Sequence, residues 1–135
     1  MKEHQYEVRV RYSETDQMGV VYHGNYAQYF EMGRVEWLRN LGLSYKWMEE
    51  NGIMLPVVSL NINYKKPARY DDLLIVKTIF KSQSSVKIEF DYEIYNESEE
   101  LLTIASSVLV FVDMKTGRPT QPPAYVNEKL TGLNN

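Results

Sequence analysis

The ten residues Asp16-Gln17-Met18-Gly19-Val20-Val21-Tyr22-His23-Gly24-Asn25 gather a carboxylate, an imidazole and two glycines directly ahead of a helical pattern. A carboxylate so placed can attack a carbonyl carbon itself or activate water for the attack. Local sequence alone also suits a plainer role for Asp16, since Asp at the head of a glycine-bearing loop commonly forms an Asx-turn. An isolated Asp-x-x-Gly therefore carries no weight, and the surrounding residues must decide.

Other chemistries are excluded by composition. The 135 residues include no cysteine, which removes disulfides, thiolate metal sites and a thiol nucleophile. Only His4 and His23 supply imidazole, too few for a histidine-rich metal centre. The net charge of −3 does not suit a general nucleic-acid binder. The N-terminal MKEHQYEVRV is polar and has no apolar signal region, and no apolar run is long enough for a membrane span, so the expected location is the cytoplasm.

The elements that must position these groups are readable from periodicity. A strand is expected over Tyr6–Tyr12, with Val8, Val10 and Tyr12 on one face and Glu7, Arg9 and Arg11 on the other. Ser13 to Gly24 reads as a loop. Tyr26, Phe30, Gly33, Trp37 and Leu41 form one apolar stripe of a long helix, stopped at Gly42. Ser44 can cap a short second helix ending near Asn51-Gly52. Four strands follow: from Val57 to Tyr64, Leu73 to Phe80, Val86 to Ile94 and Leu101 to Val112. Ser82 to Ser85 is read as a turn. The last strand is the most apolar and is expected at the sheet centre. A short helix is expected from Ala124 to Leu130. Successive strands after a helix argue an α+β domain with an antiparallel sheet, spanning residues 1–135 as one unit.

The segment from Tyr12 to Arg34, YSETDQMGVVYHGNYAQYFEMGR, resembles the 4-hydroxybenzoyl-CoA thioesterase family. Within it, the nearest likeness is to the branch of bacterial Tol-Pal-associated and short-chain acyl-CoA thioesterases. The pattern is carried by Asp16, Gly19, Val20, Val21, Tyr22, His23, Asn25 and Tyr26. Asn63 to Asp72 and Phe111-Val112-Asp113 extend the likeness to almost the whole chain. The resemblance implies a hotdog fold: a long central helix wrapped by a curved five-stranded antiparallel sheet. It implies homodimers or homotetramers with active sites at the dimer interface, which would also cover an exposed sheet edge. It implies an acyl-CoA substrate and no metal or redox cofactor. Some family members also meet acyl carrier protein.

Hydrolysis of a thioester needs an attacking oxygen and a stabilised oxyanion. The resemblance gives Asp16 the first task, as nucleophile or as general base. For the second, it points the backbone N–H at His23 toward the thioester carbonyl, where the unpaired amides of a helix start favour negative charge. Gly19 and Gly24 would let the loop approach the substrate. Tyr22 belongs to the same substrate-binding stretch. His23 could cap the helix, orient Asp16, position water, or simply pack. Tyr12 matches a family active-site position and equally continues the inward face of its strand. Asn25 suits a helix N-cap or a substrate contact. Glu31, a helix carboxylate, is read as the surface partner of Arg34. Tyr26, Phe30 and Trp37 are read as core.

Two basic groups could meet the phosphates of CoA. One is Lys65, Lys66 and Arg69. The other is Lys81, Ser82, Ser84, Ser85 and Lys87, the region the family uses. Either could instead be a solvated face. Val57, Val58, Ser59 and the Trp47-Met48 helix are candidates to shape the acyl pocket. Two other readings compete. A hotdog hydroxyacyl dehydratase would need a His-Phe-Pro type motif, which Tyr22-His23-Gly24-Asn25 does not supply. A non-catalytic acyl-CoA-binding hotdog module would not need Asp16.

Overall fold

The computed structural model describes residues 2–133. Strand β1 (Glu3–Arg9) alternates as expected, with Val8 8 % exposed and Val10, just beyond it, 1 %. The strand stops short of Tyr12, however. The backbone turns after Val10 into a 3-10 turn at Tyr12–Glu14, so Tyr12 leaves the inward face and is 78 % exposed. It lies edge-on against Tyr70, ring centroids 5.6 Å apart.

Helix α1 (Tyr26–Asn40) buries the expected stripe at Tyr26, Phe30, Gly33 and Trp37, and adds Tyr29, Arg34 and Leu38. Gly42 ends it with φ +85°, a left-handed conformation that glycine adopts without steric cost. Ser44 caps α2 (Tyr45–Glu50) by accepting from the Trp47 amide. A two-residue ribbon pairs β2 (Ile53–Met54) with a short strand at Val112–Asp113.

The main sheet is formed by β1, β3 (Val57–Tyr64), β4 (Leu73–Ser84), β5 (Lys87–Tyr95) and β6 (Leu101–Val110). Its order is β1-β4-β5-β6-β3, antiparallel throughout. The short strand at Val112–Asp113 is β7, and α3 (Ala124–Thr131) closes the chain, sending Val126 and Leu130 into the core. Among the described residues no helix is long and apolar enough to cross a membrane.

Two strand expectations change. The centre is β5, not β6. Strand β6 is rich in apolar residues because some occupy its outer face, where Ile104 is 37 % exposed, while its buried positions include Thr103 and Ser107. The expected turn at Ser82 to Ser85 is mostly strand: β4 runs through a bulge after Phe80 to Ser84, and the reversal falls at Ser85, φ +52°. Strand β3 lies at the edge and is open on both faces, with Val57, Val58 and Leu60 exposed.

The helix packs across β1, β4 and β5. Trp37 stacks on Phe80 at 5.7 Å and meets Phe90 edge-on at 5.0 Å, and Phe30 lies 4.7 Å from Tyr92. Burying a ring the size of Trp37, roughly 150–250 Å², contributes about 4–6 kcal/mol at about 25 cal/mol per Å² before its entropy cost. Gly33 sits where the approach is closest. A Cβ there would lie 2.5 Å from Thr78 Oγ1 and 3.0 Å from Val76 Cγ1. This packing fixes the start of α1, and with it the loop that carries Asp16.

Candidate active site

The segment between β1 and α1 is a tied structure rather than an open loop. Val10 and Asp71–Asp72 exchange backbone hydrogen bonds at 2.9 and 3.1 Å. Asp16 then opens a tight turn. Its amide donates to Val20 O at 2.9 Å, its carbonyl accepts from Gly19 N at 3.0 Å, and its Oδ1 accepts from Met18 N at 2.8 Å. Gly19 closes the turn with φ +76°, which a side chain would strain. Asp16 thus forms the Asx-type turn its local sequence allows. One carboxylate oxygen is used in holding that geometry, and Oδ2 has no partner among the described residues.

The returning limb leads directly to the helix. Val21 donates to Ala68 O at 2.8 Å, and Val20 bridges to Arg69. Tyr22 donates to Glu14 O at 2.9 Å. A 3-10 turn, His23–Asn25, then feeds α1. The backbone amides of His23 and Gly24 find no acceptor among the described residues, so they stand as open donors at the head of the helix. A Cβ at Gly24 would lie 2.8 Å from the Tyr22 ring, so a larger residue there would have to push that exposed ring aside.

The side chains sort differently from their expected roles. His23 is exposed and makes no hydrogen bond to Asp16; its ring lies 4.3 Å from that of Tyr22. Asn25 does not cap α1. Its Nδ2 donates to Glu14 O at 2.8 Å, tying the helix start to the loop. Tyr64 donates to His23 O at 3.2 Å. Val21, His23, Tyr26, Tyr64, Lys65 and Lys66 line a cleft of about 270 Å³ beside the helix head.

Within one chain the other expected contacts lie elsewhere. Ser59 is exposed on β3, five residues from Tyr64, or roughly 16 Å along the strand. Lys81 lies eight residues beyond Leu73, roughly 26 Å along β4 from the end that abuts the Asp16 loop. Ser82 donates to Glu89 at 2.9 Å, and Ser85 occupies the hairpin. Of the other basic group, Lys66 is paired with Glu100 at 2.8 Å.

Of two buried charged residues, Glu14 carries no role in the sequence reading and Arg34 a different one. Glu14 is a buried carboxylate, 4 % exposed. Its Oε1 accepts from Arg11 N at 2.8 Å and from the Tyr29 hydroxyl at 2.9 Å; its Oε2 accepts from the Arg11 guanidinium at 3.1 and 2.9 Å. Burial pushes its pKa up, but these bonds from Arg11 and Tyr29 outweigh it and hold the carboxyl below its ordinary value. Tyr29 is pushed up, by burial first, then by its hydrogen bond to Glu14 and by that group's charge. The second is Arg34. Instead of pairing with Glu31 at the surface, it is 6 % exposed, donating to Tyr92 at 3.0 Å and to Tyr45 at 3.4 Å. The Arg11-x-x-Glu14 spacing was the available signal for the first; Arg34, four residues after Phe30, flanks the buried stripe. No group of three His, Asp or Glu side chains among the described residues could hold a metal ion.

A model of the thioesterase-like superfamily matches residues 10–130. The YneP protein of Bacillus subtilis (strain 168), provisionally named an acyl-CoA thioesterase, is 43 % identical over 85 % of this chain and 83 % of its own. The acyl-CoA thioester hydrolase YbgC of Escherichia coli O6:H1 is 33 % identical over 88 % of this chain and 89 % of its own. Among solved structures, a DHNA-CoA thioesterase from Staphylococcus aureus superposes with a TM-score of 0.95 at 39 % identity, covering 98 % of this chain and 91 % of that one.

Proposed function

Because this chain belongs to the thioesterase-like superfamily, with the hotdog fold, we propose that it hydrolyses acyl-CoA thioesters with Asp16 as nucleophile or general base. It is an enzyme of the acyl-CoA thioesterase class. The observation that carries the assignment to Asp16 is its geometry: Oδ1 is pinned by the Met18 amide at 2.8 Å, and the same turn runs into the open amides of His23 and Gly24.

The thioester carbonyl oxygen rests against those amides, and the helix start stabilises the charge that grows on it. Either Asp16 Oδ2 attacks the carbonyl carbon, or it takes a proton from the water that does. The C–S bond then breaks, the CoA sulfur leaves and acquires a proton, and the acyl group departs as free acid. In the nucleophilic route, water first cleaves the Asp16 anhydride. No metal or redox cofactor takes part. Tyr22 and His23 flank the substrate at the helix head.

The open edge of β3 pairs with a second copy. Dimerisation is what allows Ser59 and the Lys81, Ser82 and Ser85 group of a second copy to approach this site, since their own chain keeps them distant. Tyr12, exposed beside the loop, is available to the substrate in the same assembly. The enzyme works in the cytoplasm.

Thiol release measured across an acyl-CoA panel tests the reading. The panel holds short, long and aromatic acyl groups, DHNA-CoA included, with acyl carrier protein thioesters as a second carrier. Release from at least one CoA thioester is expected. Tight binding without release throughout would favour a non-catalytic module.

A further inference from the structure

We propose that Glu14 is a positioning residue, clamped through Tyr29, that sets Asp16 and the oxyanion donors in register; this rests on the assignment of Asp16 above. Four observations converge on it. Its carboxylate is buried and fully engaged, receiving the Arg11 backbone and guanidinium on one side and the Tyr29 hydroxyl on the other. Its carbonyl accepts from both Tyr22 N and Asn25 Nδ2, the residues immediately before and within the turn that begins α1. It lies two residues before Asp16, separated only by Thr15, whose amide and hydroxyl are fixed on Tyr12 O at 3.1 and 2.7 Å. Tyr29 is fully buried in the first turns of α1, so its hydroxyl refers the loop to the helix rather than to solvent.

The consequence is geometric. Asp16 and the His23 and Gly24 amides belong to different limbs of one loop. Their separation is not set by a direct bond between them. The Asp16 N–Val20 O bond and the Thr15–Val21 bridge hold the two limbs side by side, and Glu14 refers both to the helix, its side chain gripping Tyr29 and its backbone gripping the returning limb at Tyr22 and Asn25. A buried charge held by several donors resists displacement, since leaving those donors unpaired is costly. Glu14 does not touch the substrate. It acts by keeping the attacking oxygen and the oxyanion donors at a working distance, where even small misplacement lowers turnover by about 10²-fold.

The test compares Glu14→Gln, Tyr29→Phe and Asp16→Asn with wild type, recording kcat and KM for one acyl-CoA beside the thermal midpoint. Tyr29→Phe removes a single hydroxyl from a helix-borne ring and keeps the core filled, so it remains informative where Glu14→Gln fails to fold. A positioning role predicts that kcat falls in Tyr29→Phe, and falls further in folded Glu14→Gln, by about 10–10²-fold, while KM stays close to wild type. A merely structural clamp would lower the midpoint and leave kcat of the folded enzyme unchanged. Inactive Asp16→Asn beside wild-type kcat in Tyr29→Phe overturns this inference alone. An active Asp16→Asn overturns the assignment of Asp16 and this inference with it.

Discussion

The Arg34 guanidinium donates to the Tyr92 hydroxyl at 3.0 Å, and that hydroxyl lies 2.6 Å from Ser107 Oγ. The helix is thereby joined to β5 and β6 by a polar chain inside an apolar core. No carboxylate lies within ion-pair distance of Arg34 among the described residues, so neutral oxygens carry its solvation. Tyr92→Phe keeps the ring against Phe30 but strips two buried partners of their contact. It should cost about 1–3 kcal/mol in urea unfolding. An unchanged unfolding midpoint would mean that water replaces the hydroxyl without penalty.

Gly33 faces Thr78 and Val76 across the closest approach of helix and sheet. Both neighbours are β-branched and fully buried, so neither can swing clear. Gly33→Val should therefore overpack the interface by about 1–3 kcal/mol. Chemical denaturation checks this, and an unshifted midpoint would contradict the close contact.

Acid stability should report Glu14. Its folded pKa lies below its ordinary value of 4.5. A depressed carboxyl stabilises the fold above the unfolded pKa, and the contribution is lost as pH falls through the folded value. Unfolding free energy should thus decline below about pH 4.5 more steeply in wild type than in Glu14→Gln. Parallel pH profiles for the two proteins would remove Glu14 from that role.

These three residues illustrate what the sequence could reveal. The stripe from Tyr26 to Trp37 announces the helix and its buried face, because apolar spacing along a helix is a local property. Gly33 stands out within that stripe for the same reason. Strand order is not local: the apolar character of β6 suggested the centre, yet outward-facing residues such as Ile104 supplied part of it. Tyr12 misled because alternation continued on paper past Val10, where hydrogen bonds to Asp71–Asp72 end the strand and the chain turns. Around the site, Asp16, Gly19 and the helix start were legible through a motif. Glu14 was not, since its importance comes from Tyr29, fifteen residues away. Arg34 looked like a surface cation because a charged side chain is rarely buried without a charged partner.

The edge of β3 leads to a prediction about assembly. Val58 is 59 % exposed and Leu60 38 % on a strand with one unpaired side. Lysines on such an edge oppose strand pairing. The double variant Val58→Lys, Leu60→Lys should sediment as a monomer where wild type sediments as a dimer or larger, and should lose turnover. A monomeric wild type with full activity would contradict an active site completed by a second copy.

The most direct test is Asp16→Asn. Asparagine can still accept from the Met18 amide through its own Oδ1, so the turn and the thermal midpoint should be retained, while the charged oxygen is gone. Thiol release from an acyl-CoA should fall by at least about 10²-fold. Release at the wild-type rate from the folded variant would contradict the central role given to this carboxylate.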